Sequence, residues 1–189
     1  TNGGLHKKFD VDPDIAIFGK ALGNGYAITS IIGRKEIMDE AQSTFISSTF
    51  WGERIGPTAA IKTLEVMKDN KSWETISNMG IYLKHNLEKI AKNYNLKFEV
   101  FGIASLVTFI FKSENHIKYK TLITQEMLKK GYLASNNIYV SISHSKNIVD
   151  DYLFEIEKIF KVIKDCEDGK DIDSYLDGSV SHNGFERLN

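Results

Sequence analysis

The chain has 189 residues, which suits one domain or one and a half. Its 24 basic and 25 acidic residues give a net charge of −1, so there is no electrostatic reason to expect nucleic acid or an anionic membrane as a partner. Hydrophobic residues at 42% and charged residues at 26% are ordinary for a globular protein, which excludes a disordered or fibrous chain.

The sequence shows no pattern of export or membrane insertion. No apolar run approaches the roughly 20 residues that span a bilayer, and residues 1–7 lack the apolar core of a secretory signal. The single cysteine, Cys166, excludes an internal disulfide framework. We therefore expect a cytoplasmic protein with neither a membrane nor a nucleic-acid partner.

In chain order, the first 70 residues predict short strands separated by glycine turns. Residues 15–18 and 28–33 are typical of buried strands of a parallel sheet, and residues 34–41 of a short helix. Residues 43–49 are a β-prone run rich in hydroxyl groups. Pro57 then stands in the first turn of a helix, whose predicted apolar face comprises Ile55, Ala59, Ala60, Leu64 and Met67.

Beyond residue 70 the pattern predicts a compact α-β-β-α-β-β-α unit. Its elements are a helix at 72–94, strands at 98–101 and 105–111, a helix at 117–130, strands at 132–134 and 138–142, and a helix at 147–164. The last helix carries a continuous apolar stripe, which is typical of core packing. We place a domain boundary within residues 54–72.

Residues 15–25 hold the strongest candidate for chemistry. An apolar strand ends at Gly19, Lys20 follows, and Gly23 and Gly25 form a turn, which is where open α/β folds place their reactive groups. A lysine there with a packed stem and little water around it suits imine formation with a carbonyl. The glycine spacing excludes a Walker A loop and a Gly-x-Gly-x-x-Gly motif. On residue types alone, a solvated loop lysine is the commoner alternative.

Four segments resemble a known family in the order in which that family carries them. Residues 13–25 (Pro-Asp-Ile-Ala-Ile-Phe-Gly-Lys-Ala-Leu-Gly-Asn-Gly) resemble the cofactor-lysine segment of class III (subgroup II) aminotransferases, the group that includes glutamate-1-semialdehyde 2,1-aminomutase. Residues 30–38, 47–53 and 139–144 are similar to later segments of the same family. The likeness covers roughly residues 5–165 and favours a functional Lys20.

The resemblance implies an α/β chain of the fold-type I class of pyridoxal phosphate-dependent transferases. Residues 1–70 would be the C-terminal part of the large cofactor-binding domain and its seven-stranded sheet. Residues 71–165 would form the small α/β (α+β) domain, and residues 166–189 an extended surface tail.

The resemblance also assigns roles to the cofactor site. Lys20 would form the Schiff base with pyridoxal 5′-phosphate and then shuttle the proton at the substrate α-carbon. Thr49 would hold the cofactor phosphate of the neighbouring subunit with Ser48 as its companion, which implies a homodimer with a shared active site. The alternative for both hydroxyls is that they satisfy nearby backbone groups.

Three neighbouring residues are weaker candidates for substrate contact. Trp51, Glu53 and Arg54 could face the substrate across a dimer interface, with Arg54 pairing a substrate carboxylate. Interface packing and a charge at the start of a helix are the alternative. His144 is better explained as structural, and no spacing predicts a metal ligand set.

Part of the family's site has no counterpart in this sequence. The glycine-bearing phosphate turn, the aromatic that stacks on the ring and the aspartate on the pyridine nitrogen all precede the lysine in the family. Asp10, Asp12 and Asp14 lie too close to Lys20 to be that aspartate. We therefore expect a C-terminal fragment of a larger enzyme, inactive alone.

The sequence favours pyridoxal phosphate-dependent transfer of an amino group from a small-molecule donor to a carbonyl acceptor. Intramolecular transfer, as in a glutamate-1-semialdehyde 2,1-aminomutase, is the alternative within the enzyme class. A non-catalytic α/β module that mediates assembly is the alternative outside it.

Overall fold

The computed structural model describes residues 1–182 and 184. Its contacts divide the chain into two compact units, Thr1–Glu74 and the residues from Thr75 onward. The domain limits predicted from the sequence, at residues 70 and 165, stay predictions. None of the helices among the described residues is long and apolar enough to cross a membrane.

The sheet of the first unit is a two-stranded antiparallel ribbon. Strand β1 is Ile15–Phe18 and strand β2 is Ser30–Gly33, with Ile17 opposite Ile31. The predicted burial was wrong, since Ile17 is 71% exposed and Ile31 is 54% exposed. The chain turns back on itself between the strands, which makes them antiparallel, and a two-stranded ribbon cannot cover both of its own faces.

Two helices and three short 3₁₀ turns complete this unit. Helix α1 is Lys35–Glu40 and helix α2 is Ile55–Asp69, while the turns are Leu5–Phe9, Lys20–Leu22 and Ala41–Ser43. The β-prone run at 43–49 forms no strand, since it has no strand to pair with. The predicted apolar face of α2 is partly wrong: Ala60 is buried and Ala59 and Met67 are half-buried, whereas Ile55 and Leu64 are exposed.

The second unit packs three helices with a three-stranded sheet. The sheet has the order β3-β4-β5 and is antiparallel throughout, with β3 at Phe98–Phe101, β4 at Leu106–Phe111 and β5 at Asn137–Tyr139. The helices are α3 (Ser72–Asn93), α4 (His116–Lys129) and α5 (Lys146–Glu167). The strand predicted at 132–134 is absent from this described segment, where Leu133 is 97% exposed and has no strand partner.

The core of the second unit is formed by alternate residues of a strand and by the apolar stripe of a helix. Alternate residues of β4, Val107, Phe109 and Phe111, are buried on one face of the sheet. The predicted stripe of α5 is buried at Val149, Tyr152, Leu153, Ile156, Ile159, Phe160 and Ile163. The rings of Phe111 and Phe160 meet edge to face at 5.0 Å. Aromatic packing thus joins the sheet to α5.

The segment after α5 is only partly extended. Helix α5 continues to Glu167, which leaves Cys166 buried, and burial raises the pKa of that thiol. A 3₁₀ turn follows at Ile172–Tyr175, and Ile172 is buried. Further along, the backbone N–H of Ser181 donates to Thr121 Oγ1 at 3.0 Å, which ties the segment to α4. Residues 183 and 185–189 of the predicted tail lie outside the described residues.

Candidate active site

Lys20 occupies an unusual backbone conformation directly after β1. It opens the 3₁₀ turn Lys20–Leu22, and its φ of 48° lies in the left-handed region. For most residues with an L side chain, this conformation costs about 1–2 kcal/mol, whereas glycine and asparagine adopt it more easily. The Lys20 carbonyl accepts the N–H groups of Gly23 and Asn24, both at 3.2 Å. These hydrogen bonds fix the backbone. The side chain is exposed, so the packed stem that would favour imine formation is not present among the described residues.

Gly23 makes this turn possible. It is buried, and a Cβ built on it would lie 2.1 Å from the carbonyl oxygen of Tyr26 and 2.8 Å from Ile28 Cγ2. No side chain fits there unless the turn moves. Gly23 therefore forms the turn that the sequence predicts.

The loop that carries Ser48 and Thr49 presents both hydroxyls at the surface. Ser48 Oγ accepts the N–H of Phe50 at 3.4 Å, and the Ser48 carbonyl accepts the N–H of Trp51 at 3.2 Å. Ser48 thus satisfies local backbone groups. The hydroxyl of Thr49 makes no hydrogen bond within the described part of the chain.

Glu53 caps the start of α2. Its carboxylate accepts the backbone N–H of Ile55 and, at 2.9 Å, that of Gly56. Free N–H groups at a helix start attract negative charge, so the carboxylate is well placed to stabilise α2. These are the helix-start contacts that the sequence offered as the alternative to substrate binding.

Trp51 and Arg54 flank this cap at the surface. Trp51 is 71% exposed. Arg54 is exposed as well, and no ion pair or side-chain hydrogen bond holds its guanidinium among the described residues. Both side chains are therefore available to a ligand.

Helix α2 packs against the lysine turn. It contacts the Lys20–Leu22 turn, and a Cβ built on Gly56 would lie 2.8 Å from the carbonyl oxygen of Ala27 and 3.2 Å from Ile28 Cβ. The close approach of Gly56 joins the start of α2 to the segment that follows Lys20. Within the described residues no hydrogen bond links Lys20 directly to Ser48 or Thr49.

Two aspartates before β1 are held by an arginine that the sequence did not single out. Arg34 bonds Asp12 at 2.7 Å and Asp14 at 3.0 Å. The hydrogen bond to Asp12 and the charges of both aspartates raise the pKa of the guanidinium. Both carboxylates therefore have a local partner, although both remain exposed. Nothing in residue spacing alone could have revealed this contact.

The histidine after β5 has a structural contact. His144 is half-buried, and its Nδ1 accepts the backbone N–H of Ser141 at 3.4 Å. Across the residues that the structure describes, no group of three or more His, Cys, Asp or Glu side chains is arranged to hold a metal ion.

Comparison with known proteins identifies the family. The family model described as Aminotransferase class-III matches residues 4–161. The chain is 32% identical over 143 residues to 3-aminobutyryl-CoA aminotransferase of Cloacimonas acidaminovorans, covering 75% of this chain and 34% of that protein. It is 30% identical over 178 residues to glutamate-1-semialdehyde 2,1-aminomutase of Methanocaldococcus jannaschii, covering 85% and 42%. The chain belongs to the class III aminotransferases.

Solved structures agree on the fold. The FumI protein of Sphingopyxis sp. MTA144, in its PLP internal aldimine form, superposes with a TM-score of 0.78 at 23% identity, covering 90% of this chain and 42% of that one. An omega-transaminase from Sphaerobacter thermophilus gives 0.73 at 15% identity, covering 84% and 41%. The predicted fold-type I class is confirmed. The chain spans between 34% and 42% of the length of these relatives.

Proposed function

We propose that the protein takes part in pyridoxal phosphate-dependent amino transfer and that Lys20 holds the cofactor. The observation that carries this proposal is the position of Lys20 at the end of β1, within the residues 4–161 that match the class III family model. Lys71 shares the left-handed backbone of Lys20, so that conformation alone does not mark a functional residue.

The amine of Lys20 is accessible to an aldehyde, although the described residues do not supply the packed stem and dry surroundings that favour imine formation. Its side chain is exposed, and no ion pair ties up its amine within residues 1–182 and 184. An amine must be partly deprotonated to attack a carbonyl, so freedom from a carboxylate partner is an advantage. Bound pyridoxal phosphate supplies an electron sink for charge that develops at the substrate α-carbon. With the cofactor bound, Lys20 Nζ would take the proton from that carbon and return it.

Ser48 and Thr49 are proposed to bind the cofactor phosphate of a neighbouring subunit. The Thr49 hydroxyl has no hydrogen-bond partner among the described residues, and a hydroxyl beside turn amides suits an anion. This assignment entails a homodimer in which each active site draws on both subunits.

Substrate recognition is proposed for Arg54 and Trp51 in that same loop. The free guanidinium of Arg54 suits bidentate pairing with a carboxylate of the amino donor or of the carbonyl acceptor. Trp51 offers an exposed ring that can cover an apolar part of the substrate. Glu53 is the weaker candidate for substrate contact, since its carboxylate already caps α2.

The proposal requires groups beyond those described in this chain. Asp12 and Asp14 pair with Arg34 and lie too close to Lys20 in sequence to be the family's aspartate on the pyridine nitrogen. A carboxylate for that nitrogen, an aromatic to stack on the ring and a phosphate turn must then come from other residues. We accordingly propose that this chain contributes the lysine side of a larger site and is inactive alone.

Two reactions are candidates for this protein. One matched relative is an aminotransferase and another is an aminomutase, so both transfer between molecules and transfer within one molecule remain candidates. A non-catalytic assembly role is the alternative that needs no cofactor.

The experiment is a titration of the full chain with pyridoxal phosphate, read as absorbance at about 420 nm, where the conjugated imine between lysine and pyridoxal phosphate absorbs. Lys20→Ala should remove the band, whereas Lys8→Ala should retain it, because Lys8 is an exposed lysine of the same unit. The titration is repeated with the preceding part of a class III relative added as a separate polypeptide. No Lys20-dependent band in either setting would support the assembly role.

A further inference from the structure

A polar stripe runs along one side of α4, away from the candidate active site. Its members are spaced three, four and four residues apart, which places them on one side of the helix: Lys118, Thr121, Gln125 and Lys129. Residues 171–181, which we call the strap, contact all four of these side chains. The class III family model matches residues 4–161, so the strap lies beyond the matched residues.

The near end of the strap, residues 171–176, is anchored by burial. Ile172 is 4% exposed, and Tyr175 and Leu176 pack against the core of the second unit. Detaching this end would bring the Ile172 side chain into water, and exposing apolar surface costs free energy in proportion to its area. The near end should therefore stay in place as long as the second unit is folded.

The far end of the strap, residues 177–181, begins at a residue that α4 holds in two ways. Gln125 Oε1 accepts the backbone N–H of Asp177 at 2.7 Å, while Gln125 Nε2 donates to the Tyr175 carbonyl at 2.9 Å. Lys129 pairs with the Asp177 carboxylate at 2.8 Å. One amide and one ion pair thus fix the point where the near end passes into the far end.

Few other contacts hold the far end. The N–H of Ser181 donates to Thr121 Oγ1 at 3.0 Å, and among the described residues no backbone–backbone hydrogen bond joins the strap to α4. Release of the far end would leave Lys129 paired with Glu126, which lies 2.7 Å away, so the lysine would keep a partner. Single side-chain hydrogen bonds and exposed ion pairs each contribute little to stability, so the far end can open at a low cost in free energy.

We infer that the far end of the strap is a latch on α4, which ionic strength opens while the near end stays anchored. The pair between Lys129 and Asp177 is exposed, so dissolved salt screens it. Opening removes the strap's N–H groups from Thr121 Oγ1 and Gln125 Oε1 and leaves both acceptors on α4 available. The inference uses contacts within the second unit and does not depend on the role of Lys20.

The test is backbone amide hydrogen exchange by NMR on the full chain, at about 0.05 M and about 1 M sodium chloride. The reporters are the N–H groups of Asp177 and Ser181. We expect their protection factors to fall about two- to fivefold at high salt, which is the effect of losing one exposed ion pair. The Phe109 amide, which donates to the Asn136 carbonyl within the second unit, should keep its protection. The methyl signals of Ile172 should not shift.

Two variants separate the charge of the latch from the charge of the near end. Asp177→Asn removes the carboxylate and keeps the N–H that Gln125 accepts. At low salt this variant should show the protection that the unchanged protein shows at high salt, and it should lose the response to salt. Asp173→Asn is the matched control, because it breaks a 2.7 Å ion pair with Lys118 in the near end. The control should keep the response to salt at Ser181, and circular dichroism checks that both variants are folded.

Three results overturn the inference. The first is that Asp177 and Ser181 are unprotected at low salt, which would mean that the far end is not docked on α4. The second is protection that salt does not change, or a response to salt that Asp177→Asn retains, since charge would then not hold the far end. The third is an equal fall in protection at Phe109 or a shift of the Ile172 methyl signals, which would mean that salt opens the whole strap or the whole unit.

Discussion

The carboxylate of Glu53 accepts the backbone N–H of Gly56 at 2.9 Å, at the point where α2 begins. Gly56 in turn lies against Ala27 and Ile28, which follow the lysine turn. One acidic side chain thus helps to fix the helix that supports the Lys20 region. Glu53 stabilises the candidate site from outside the reacting groups.

Glu53→Ala should lower the free energy of unfolding by about 1 kcal/mol, the usual cost of losing a helix N-terminal cap. Urea unfolding measures this change. Glu65→Ala is the matched control, because Glu65 forms an exposed ion pair with Lys62 on the same helix and should change stability by less than about 0.5 kcal/mol. Equal stability of the two variants would show that Glu53 is not a cap.

Gly23→Ala should displace the lysine turn, because the new Cβ would lie 2.1 Å from the Tyr26 carbonyl oxygen. We expect loss of the Lys20-dependent absorbance band even where the protein stays folded by circular dichroism. Gly52→Ala is the control, since no atom lies within 4 Å of a Cβ at that position. An unchanged band in Gly23→Ala would mean that the turn does not position Lys20.

Lys20→Asn should raise the free energy of unfolding by up to about 1 kcal/mol, because asparagine tolerates the left-handed conformation better than lysine. Lys71 has a φ of 44° and provides the matched site, so Lys71→Asn should give a similar gain. Only the Lys20 variant should lose cofactor attachment. A loss of stability in Lys20→Asn would contradict backbone strain at this residue.

Tyr152→Phe should stabilise the second unit by about 0.5–1 kcal/mol, because it removes a buried hydroxyl that has no partner among the described residues. Tyr119→Phe should do the opposite, since the Tyr119 hydroxyl donates to Glu167 at 2.5 Å. Thermal unfolding of the two variants separates these effects. A destabilised Tyr152→Phe would mean that the hydroxyl has a partner in solution.

The stability of the second unit should fall at alkaline pH. Burial, and then the hydrogen bond to Glu167, raise the pKa of Tyr119 to about 12. The folded state therefore keeps the phenolic proton longer than the unfolded state does. This contribution is complete below about pH 10 and is lost as the pH rises towards 12. Urea unfolding at pH 8 to 11 should show a smaller decline for Tyr119→Phe than for the unchanged protein.

The spacing of apolar residues was enough to predict an element wherever a single periodicity continued along its whole length. The helix predicted at 147–164 is found at Lys146–Glu167, because its apolar residues recur at helical spacing along its whole length. The run at 132–134 has only three residues, which is too short to show a periodicity. The strand is instead formed by the neighbouring Asn137–Tyr139. Short strands are selected by their pairing partner, which local sequence does not encode.

The sequence was enough to choose candidate residues for the site. It was not enough to predict which groups those residues contact. Lys20 stood out because it follows a strand end and precedes a glycine turn, where open α/β folds place their reactive groups, and because the surrounding segments resemble the class III family. Its exposure, the cap made by Glu53 and the pairing of Arg34 with Asp12 all depend on residues brought together by the fold. The burial expected for β1 was wrong for the same reason, since burial depends on the layers packed around a strand.

Attachment of the cofactor at Lys20 is tested most directly by reduction with borohydride and mapping of the labelled peptides. The full chain is treated with pyridoxal phosphate, alone and with the complementing polypeptide, then reduced and digested. We expect the label to concentrate at Lys20, with little at the exposed Lys8 or at Lys71. Label spread evenly over these lysines, or absent from Lys20, would contradict its assignment as the cofactor lysine.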